Sequence, residues 1–217
     1  MKSLLWNLPG PLAYLITDRH QLKSKATSGG FQALLDFIDL AFSSGIDLVQ
    51  IRERDLSALD VYQITRTAVQ SARVYGGTVL VNDRADIAAA AGAGVHLTTH
   101  SIDASIIRKC FGSRMLIGES THSLNEAKAA EQSGADFIVF GPVFETESKR
   151  VYGPPVGIKA LQEAACAVQI PVLALGGINN DNLRSPIAAG AAGIAGISLF
   201  AGANDLGRVI ETIKGYK

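Results

Sequence analysis

The chain lacks most of the features that mark specialised classes. It has only two cysteines, Cys110 and Cys166, in neither a Cys-x-x-Cys spacing nor a Cys/His pairing, so no zinc site is expected. Both lie in apolar helical stretches and are expected to be buried thiols. There is no excess of either charge: 20 Lys and Arg balance 20 Asp and Glu. That argues against a nucleic-acid binder, whose surface needs a basic surplus, and any anion site must therefore be local. No apolar run approaches the ~20 residues that cross a bilayer. The opening residues are broken by Pro9, Gly10 and Pro11 after a short apolar run and do not read as a signal peptide. A soluble cytoplasmic protein is the expectation. Aromatics are scarce, at 6%, while 47% of residues are hydrophobic. The core must then be built from Ala, Val, Ile and Leu, as in α/β proteins with buried parallel strands.

Short apolar runs alternate with helical patterns along the whole length. Eight strand candidates fall at residues 12–17, 47–52, 78–83, 94–97, 115–120, 137–142, 171–177 and 193–198. Most are continuous Val/Ile/Leu runs, which indicates strands covered on both faces. Between them Phe31, Leu34, Leu35, Ile38 and Phe42 share one helical face, as do Leu206, Val209, Ile210 and Ile213. Ser57–Asp60 and Ser123–Glu126 have the Ser-x-x-acid form of a helix start. Gly134 and Gly190 mark helix-to-strand returns. Eight βα units in 217 residues predict an α/β fold, a single (β/α)₈ TIM barrel spanning 1–217, with 1–11 as an N-terminal extension. A doubly wound sheet would carry a glycine-rich loop after its first strand, and here that strand runs into Thr-Asp-Arg-His. Residues 144–157 are a candidate lid.

In such a barrel functional groups sit at the C-terminal strand ends. Strand two ends with Gln50, Arg52 and Arg54 on one face, an amide and two cations suited to phosphate, unless Glu53 and Asp55 merely pair with them. Strand three ends in Asn82-Asp83, which could hold Mg²⁺ or could simply cap the next helix. Strand four carries His96, expected to be structural, with His100 in the loop left open. Strand five brings Ser120 and His122 to the mouth, where a histidine can move protons near neutral pH, although His122, just before a helix start, could merely pack against the next loop. Strand six runs into Thr146, Ser148 and Lys149, two hydroxyls and a point charge on one loop. Strands seven and eight end in Gly176-Gly177 and Gly196-Ile197-Ser198. Glycines there let backbone N–H groups approach a phosphate, although tight turns alone would also use them.

Taken together, YLITD at 14–18, QIRERD at 50–55, NDR at 82–84, GVHL at 94–97, STHS at 120–123, GADF at 134–137, GPVFETESK at 141–149 and LGGI at 175–178 resemble the thiamin phosphate synthase superfamily. The resemblance runs from Leu12 to about Ala201 and implies one of two activities. A synthase couples hydroxymethylpyrimidine diphosphate to a thiazole phosphate and releases pyrophosphate. A thiazole tautomerase isomerises the thiazole phosphate without coupling. By the resemblance Gln50, Arg52, Arg54, Asn82, Ser120 and Lys149 hold the pyrimidine diphosphate, with Asp83 on Mg²⁺. Thr146, Ser148, Gly177, Ile197 and Ser198 hold the thiazole phosphate. Arg52, Arg54, Ser120, His122 and Lys149 are the catalytic candidates, His122 as the tautomerase acid/base.

Two positions depart from the synthase pattern. Ser101 stands where a second metal-binding Asp is usual, and Asp103 could replace it only by a loop shift. Arg54 stands where Lys is usual, a fork in place of a point charge. Both departures resemble the tautomerase, while Asn82-Asp83 and Ser148-Lys149 favour the synthase, which is the expectation. A non-catalytic thiazole phosphate-binding barrel is the alternative of another class, and a sugar-phosphate epimerase is a further one. The expected partners are small phosphorylated substrates, with no nucleic acid and no membrane. A homodimer is left open.

Overall fold

Alternation along each strand divides the apolar residues of this chain into two compartments. In the computed structural model, which describes residues 10–22, 30–146 and 154–215, eight strands pair in chain order and all are parallel. They are β1 (Leu12–Ile16), β2 (Leu48–Ile51), β3 (Thr78–Asn82), β4 (Gly94–Leu97), β5 (Ile117–Thr121), β6 (Phe137–Phe140), β7 (Val172–Leu175) and β8 (Gly193–Gly196). The ring closes through β8 on β1, where Leu12 is opposite Gly193 and Leu15 opposite Gly196. Leu12, Tyr14, Ile16, Leu48, Leu80, Phe137, Val139 and Leu173 fill the barrel interior. Their strand neighbours Ala13, Leu15, Val49, Val81 and Ile138 form the outer core beneath the helices.

The helices are α1 (Phe31–Ser43), α2 (Ala58–Tyr75), α3 (Ala85–Ala91), α4 (Ala104–Phe111), α5 (Leu124–Ser133), α6 (Gly157–Ala167), α7 (Arg184–Ala188), α8 (Ser198–Ala201) and α9 (Leu206–Lys214). Both Ser-x-x-acid starts are real caps. The Ser57 side chain accepts from the Asp60 N–H and the Ser123 side chain from the Glu126 N–H. Gly134 ends α5 in the left-handed region, at φ 98°. No helix among the described residues is long and apolar enough to cross a membrane.

Several expectations need correction. Cys110 and Cys166 are both exposed, because each lies on the polar side of its helix and not on the buried stripe. Phe31 is also exposed, since it opens α1 one turn before the barrel contact begins at Leu34. The strands end earlier than expected at Thr17, Arg52, Asp83 and Pro142, and after Leu175 and Gly196. Their polar and glycine residues leave the sheet to form the mouth. Most of the expected lid, together with Ser148 and Lys149, lies outside the described residues.

Two aspartates fasten the opposite end. Asp47 accepts the Ala13 N–H at 2.8 Å and pairs with Lys214 at 2.8 Å, tying β1, β2 and α9 together. Asp136 does the same between β5 and β6, accepting the Ile117 N–H at 2.8 Å and pairing with Arg108. Each sits one residue before its strand, where the neighbouring strand's first amide would otherwise go without a partner.

β5 packs tightly on both faces. Inward, a Cβ on Gly118 would stand 2.3 Å from the Phe137 ring and 2.8 Å from His96 Nδ1. Gly118→Ala is expected to cost about 1–3 kcal/mol, the usual range for overpacking. Urea unfolding would read this as a lower midpoint at unchanged slope, and a wild-type midpoint would contradict the tight packing. Outward, Glu119 has a buried Oε2 without a hydrogen-bond partner among the described residues. Burial, then the charges of Asp103 and Glu126, push its carboxyl up to about 7. The folded state therefore holds a proton that the unfolded chain has released above its ordinary value of 4.5, so stability falls as pH rises through the window from about 4.5 to about 7. Glu119→Gln is expected to remove that fall. Thermal midpoints across pH 4 to 8 check this, and parallel curves for both proteins would refute it.

Candidate active site

Where β2 leaves the barrel, its charges sort onto different partners. Glu53 is buried and Asp55 exposed, and both turn to Arg19, which follows β1. The Arg19 guanidinium lies 3.0 Å from Glu53 and pairs with Asp55, and the Arg19 backbone N–H donates to both Glu53 oxygens at 3.2 and 3.3 Å. The hydrogen bond from Arg19 holds the Asp55 carboxyl well below the usual range. Thus neither acid forms an ion pair with Arg52 or Arg54, although the charges of Asp18, Glu53 and Asp83 still act on Arg52 at longer range. Neither of those arginines has a carboxylate within ion-pair distance among the described residues. The Arg52 N–H is anchored on Thr17 Oγ1 at 2.9 Å, and its guanidinium is half-buried. Burial, then the adjacent Arg54 charge, lower its pKa. Two cations held against each other at a barrel mouth favour an anion. Arg54 itself is exposed.

Below the arginines the inward side chains are polar. Gln50 is buried and donates from Nε2 to Asn82 Oδ1 at 2.9 Å. Asn82 donates from Nδ2 to Asp83 Oδ2 at 3.2 Å. Asp83 takes φ 62°, a left-handed conformation uncommon away from glycine, which turns its exposed carboxylate back over the mouth. The Asp83 N–H still donates to the His96 carbonyl at 2.9 Å. It caps no helix: the N-cap of α3 is Arg84, which makes no side-chain cap bond and instead pairs with Asp86 at 2.6 Å. Of the two readings of Asn82-Asp83, helix capping is thereby removed. Ser101 donates to Asp83 Oδ1, and Thr98 Oγ1 lies 3.5 Å from the same oxygen. Asp103 is committed elsewhere, as the cap of α4 accepting from the Ser105 N–H at 2.8 Å.

His96 points inward and is buried. Its Nε2 lies 2.9 Å from Ser120 Oγ and its Nδ1 3.1 Å from Tyr14 Oη. Burial, then the Arg52 charge, pull its pKa down to about 3, so the ring is neutral. Ser120 is half-buried at the mouth. His122 is exposed, and its Nδ1 is bonded to the Gly141 carbonyl. A carbonyl only accepts, so Nδ1 carries the proton and Nε2 is the free basic nitrogen.

The glycines after β7 serve the tight turn that was one of their two expected readings. Gly176 and Gly177 take φ 102° and 64°, and a Cβ on them would meet Pro142 at 2.5 Å and the Glu145 carbonyl at 2.4 Å. They let the β6 loop lie against the β7 turn, clasped by Phe144 N–H on the Gly176 carbonyl at 3.0 Å. That contact brings Thr146, half-buried, toward the β7 turn. Ile197 and Ser198 lead directly into the short α8, whose first N–H groups are free of intrahelical partners. An open cleft of about 560 Å³ runs beside it, lined by Ile178, Asn179, Ser198, Leu199 and Arg208 among others.

The structure thus brings Gln50, Asn82, Asp83 and Ser120 onto one hydrogen-bonded row at the mouth, with Arg52 at its edge. Thr146, Gly177 and Ser198 line the β6–β8 side. No group of three His, Cys, Asp or Glu able to hold a metal occurs among the described residues, which leaves Asp83 as the single carboxylate of the row. Two residues went unnoticed in the sequence. Arg19 shows no local signal of its partners. Tyr14 does: it shares inward parity with Leu12 and Ile16 on a fully buried strand, where a phenol needs a partner.

Comparison with known proteins agrees with this geometry. The family model described as thiamine monophosphate synthase matches residues 13–200. A relative from Geobacter sulfurreducens is 46% identical over 186 residues, covering 85% of this chain and 84% of its own. A thiamine-phosphate synthase from Roseiflexus sp. is 37% identical, covering 90% of this chain and 80% of its own. Among solved structures, a thiamine phosphate pyrophosphorylase from Pyrococcus furiosus superposes with a TM-score of 0.80 at 33% identity, covering 93% of each chain. The chain belongs to the thiamine monophosphate synthase family.

Proposed function

We propose that the protein is a cytoplasmic thiamine-phosphate synthase that couples hydroxymethylpyrimidine diphosphate to thiazole phosphate and releases pyrophosphate. The observation that carries this reading is the row Gln50–Asn82–Asp83 beside an Arg52 that burial and the Arg54 charge hold below its ordinary pKa and that makes no close ion pair among the described residues. An isomerase of the thiazole phosphate has no use for a diphosphate site, and neither does a barrel that only binds a monophosphate.

In this reading Gln50, Asn82 and Ser120 hold the pyrimidine, while Arg52, Arg54 and Lys149 face its diphosphate. The carbon–oxygen bond breaks with its electron pair leaving on the diphosphate, and the ring amine stabilises the resulting benzylic-type cation. The cations neutralise the leaving group. The thiazole nitrogen then donates its lone pair to the same carbon, and no general base is required. Thr146, Ser148, Gly177, Ile197 and Ser198 hold the thiazole phosphate, with backbone N–H groups near Gly177 and Ser198 as donors.

Mg²⁺ fits the donor set. It is a hard cation that takes one or two carboxylates and otherwise phosphate oxygens and water, and Asp83 supplies one exposed carboxylate beside the Ser101 hydroxyl. When bound it would neutralise developing charge on the diphosphate. A second reading, thiazole tautomerase, is favoured by His122, whose Nε2 is free at the mouth.

With one carboxylate, Mg²⁺ is expected to bind weakly until the diphosphate brings its own oxygens. Ser101→Asp should then lower the Mg²⁺ concentration that half-saturates coupling, and Asp83→Ala should abolish coupling. A titration of initial rates measures both. No change on Ser101→Asp would remove position 101 from the metal site.

His122→Ala separates the two enzymes. Coupling should persist within about threefold, because it uses no proton shuttle, while any isomerisation should fall by about 10²–10⁴. Thiamin phosphate formation and thiazole isomerisation are scored separately on purified protein. No coupling at any Mg²⁺ concentration, with isomerisation that needs His122, would show the protein to be the tautomerase.

A further inference from the structure

Six side chains from five strands form one continuous row through the barrel. Ser120 Oγ lies 2.9 Å from His96 Nε2, and His96 Nδ1 3.1 Å from Tyr14 Oη. Tyr14 Oη lies 3.4 Å from Gln50 Oε1, and Gln50 Nε2 2.9 Å from Asn82 Oδ1. Asn82 Nδ2 then lies 3.2 Å from Asp83. The two central members are buried, Tyr14 at 0% and His96 at 2% exposure, as is Gln50 beside them at 2%. Neither is among the substrate-holding residues of the proposed function, yet they join the strand-five residue to those of strands two and three.

The direction of the row follows from its acceptors. Asp83 only accepts, so Asn82 donates to it through Nδ2 and presents Oδ1 to Gln50. Gln50 must then donate through Nε2 and turn Oε1 toward Tyr14. A buried amide oxygen needs a donor, and the Tyr14 hydroxyl is the one facing it. Having given its proton to Gln50, the Tyr14 oxygen must accept from His96, so Nδ1 carries the imidazole proton. Nε2 is left as an acceptor and takes the Ser120 proton. The opposite tautomer would set a Tyr14 lone pair against Gln50 Oε1 and leave that oxygen unsatisfied.

We propose that Tyr14 and His96 are positioning residues, forming a one-way hydrogen-bond relay that fixes Gln50 and Asn82 and turns the lone pairs of Ser120 toward the mouth. The proposal rests on the reading of Gln50, Asn82 and Ser120 as the pyrimidine diphosphate site. The thiazole phosphate side, at β6 to β8, lies outside the relay. Bonds in such a row polarise one another, so a break in the middle is felt at both ends.

Two measurements test it. Nitrogen-15 spectra of histidine-labelled protein, which need no activity, should give a neutral His96 protonated on Nδ1. Tyr14→Phe keeps the ring that packs edge-on to Phe137 at 5.7 Å but removes the relay oxygen. It should raise KM for hydroxymethylpyrimidine diphosphate about tenfold, the effect of one unsatisfied buried group. KM for thiazole phosphate should stay within about twofold, since that site lies outside the relay. His96→Asn, whose amide N–H stands where Nδ1–H does, keeps the Tyr14–Gln50 half and should fall between Tyr14→Phe and the wild type. An Nε2-protonated or charged His96 would overturn the relay. So would Tyr14→Phe kinetics that are unchanged, or that shift both KM values equally with a lower melting temperature. A wild-type protein with no coupling activity would refute the function instead, and the imidazole spectrum would still decide the relay.

Discussion

Closure of the parallel ring by β8 on β1 is the constraint on which everything else depends. Once the ring is closed, alternate residues of every strand must point into a narrow interior and cannot leave it. Space in that interior is divided by size: Gly94, Gly118 and Gly193 stand opposite Leu116, Phe137 and Leu12, with no room for one further carbon. Toward the N-terminal end the inward residues are leucines and Phe137, which need no partners. Toward the C-terminal end they include Tyr14, Gln50, Asn82, His96 and Ser120, which do, beside the apolar Ile16 and Val139. A closed barrel offers these polar groups no water below and few alternatives sideways, so each must use its neighbour on the next strand. The hydrogen-bonded row is therefore a consequence of closure as much as a feature of the site.

The electrostatics of the mouth depend on a similar allocation. The end of strand two brings two acids and two arginines in four consecutive residues, 52–55, and local pairing would cancel them. Arg19, 34 positions away from Glu53, takes both acids because β1 and β2 are adjacent and in register from Tyr14 on Leu48 to Ile16 on Gln50. That leaves the positive charge of Arg52 and Arg54 for a ligand in a chain whose net charge is zero. The anion site arises from which carboxylates are occupied elsewhere, and composition alone does not show it.

The same distinction separates what was legible in the sequence from what was not. Local signals read well: the continuous apolar runs that became eight strands, the two serine caps, the glycine at φ 98° after α5, and the polar residues at strand ends. Those signals depend on neighbours within about one turn of chain. Pairings across strands were not legible. Nothing near Arg19 announces Glu53, and nothing near His96 announces Tyr14, 82 positions before it. The thiols were misjudged because an apolar stretch of helix still has an outer face. The strand-seven glycines allowed two readings, a phosphate approached by backbone N–H groups or a tight turn, and the β6 loop that packs on that turn is visible only once β6 and β7 are side by side.

That Asp83 is the single carboxylate of the hydrogen-bonded row, among the described residues, fits with the rest. Asp83 is held from two sides, by Asn82 on one oxygen and Ser101 on the other. A second acid at position 101 would stand against it, and two carboxylates in contact favour a cation strongly enough to gather it before any substrate arrives. With a hydroxyl at that position the two acids never repel each other, and the mouth is dominated by its arginines. Under the proposed function the anionic substrate would then be the first species attracted, and the oxygens it carries would complete what one carboxylate cannot. Replacing an acid by a serine in such a site does not remove the demand for a counter-ion to the diphosphate. It moves part of that demand from the protein to the substrate, and makes the order of arrival at the mouth a property of the charge arrangement around Asp83.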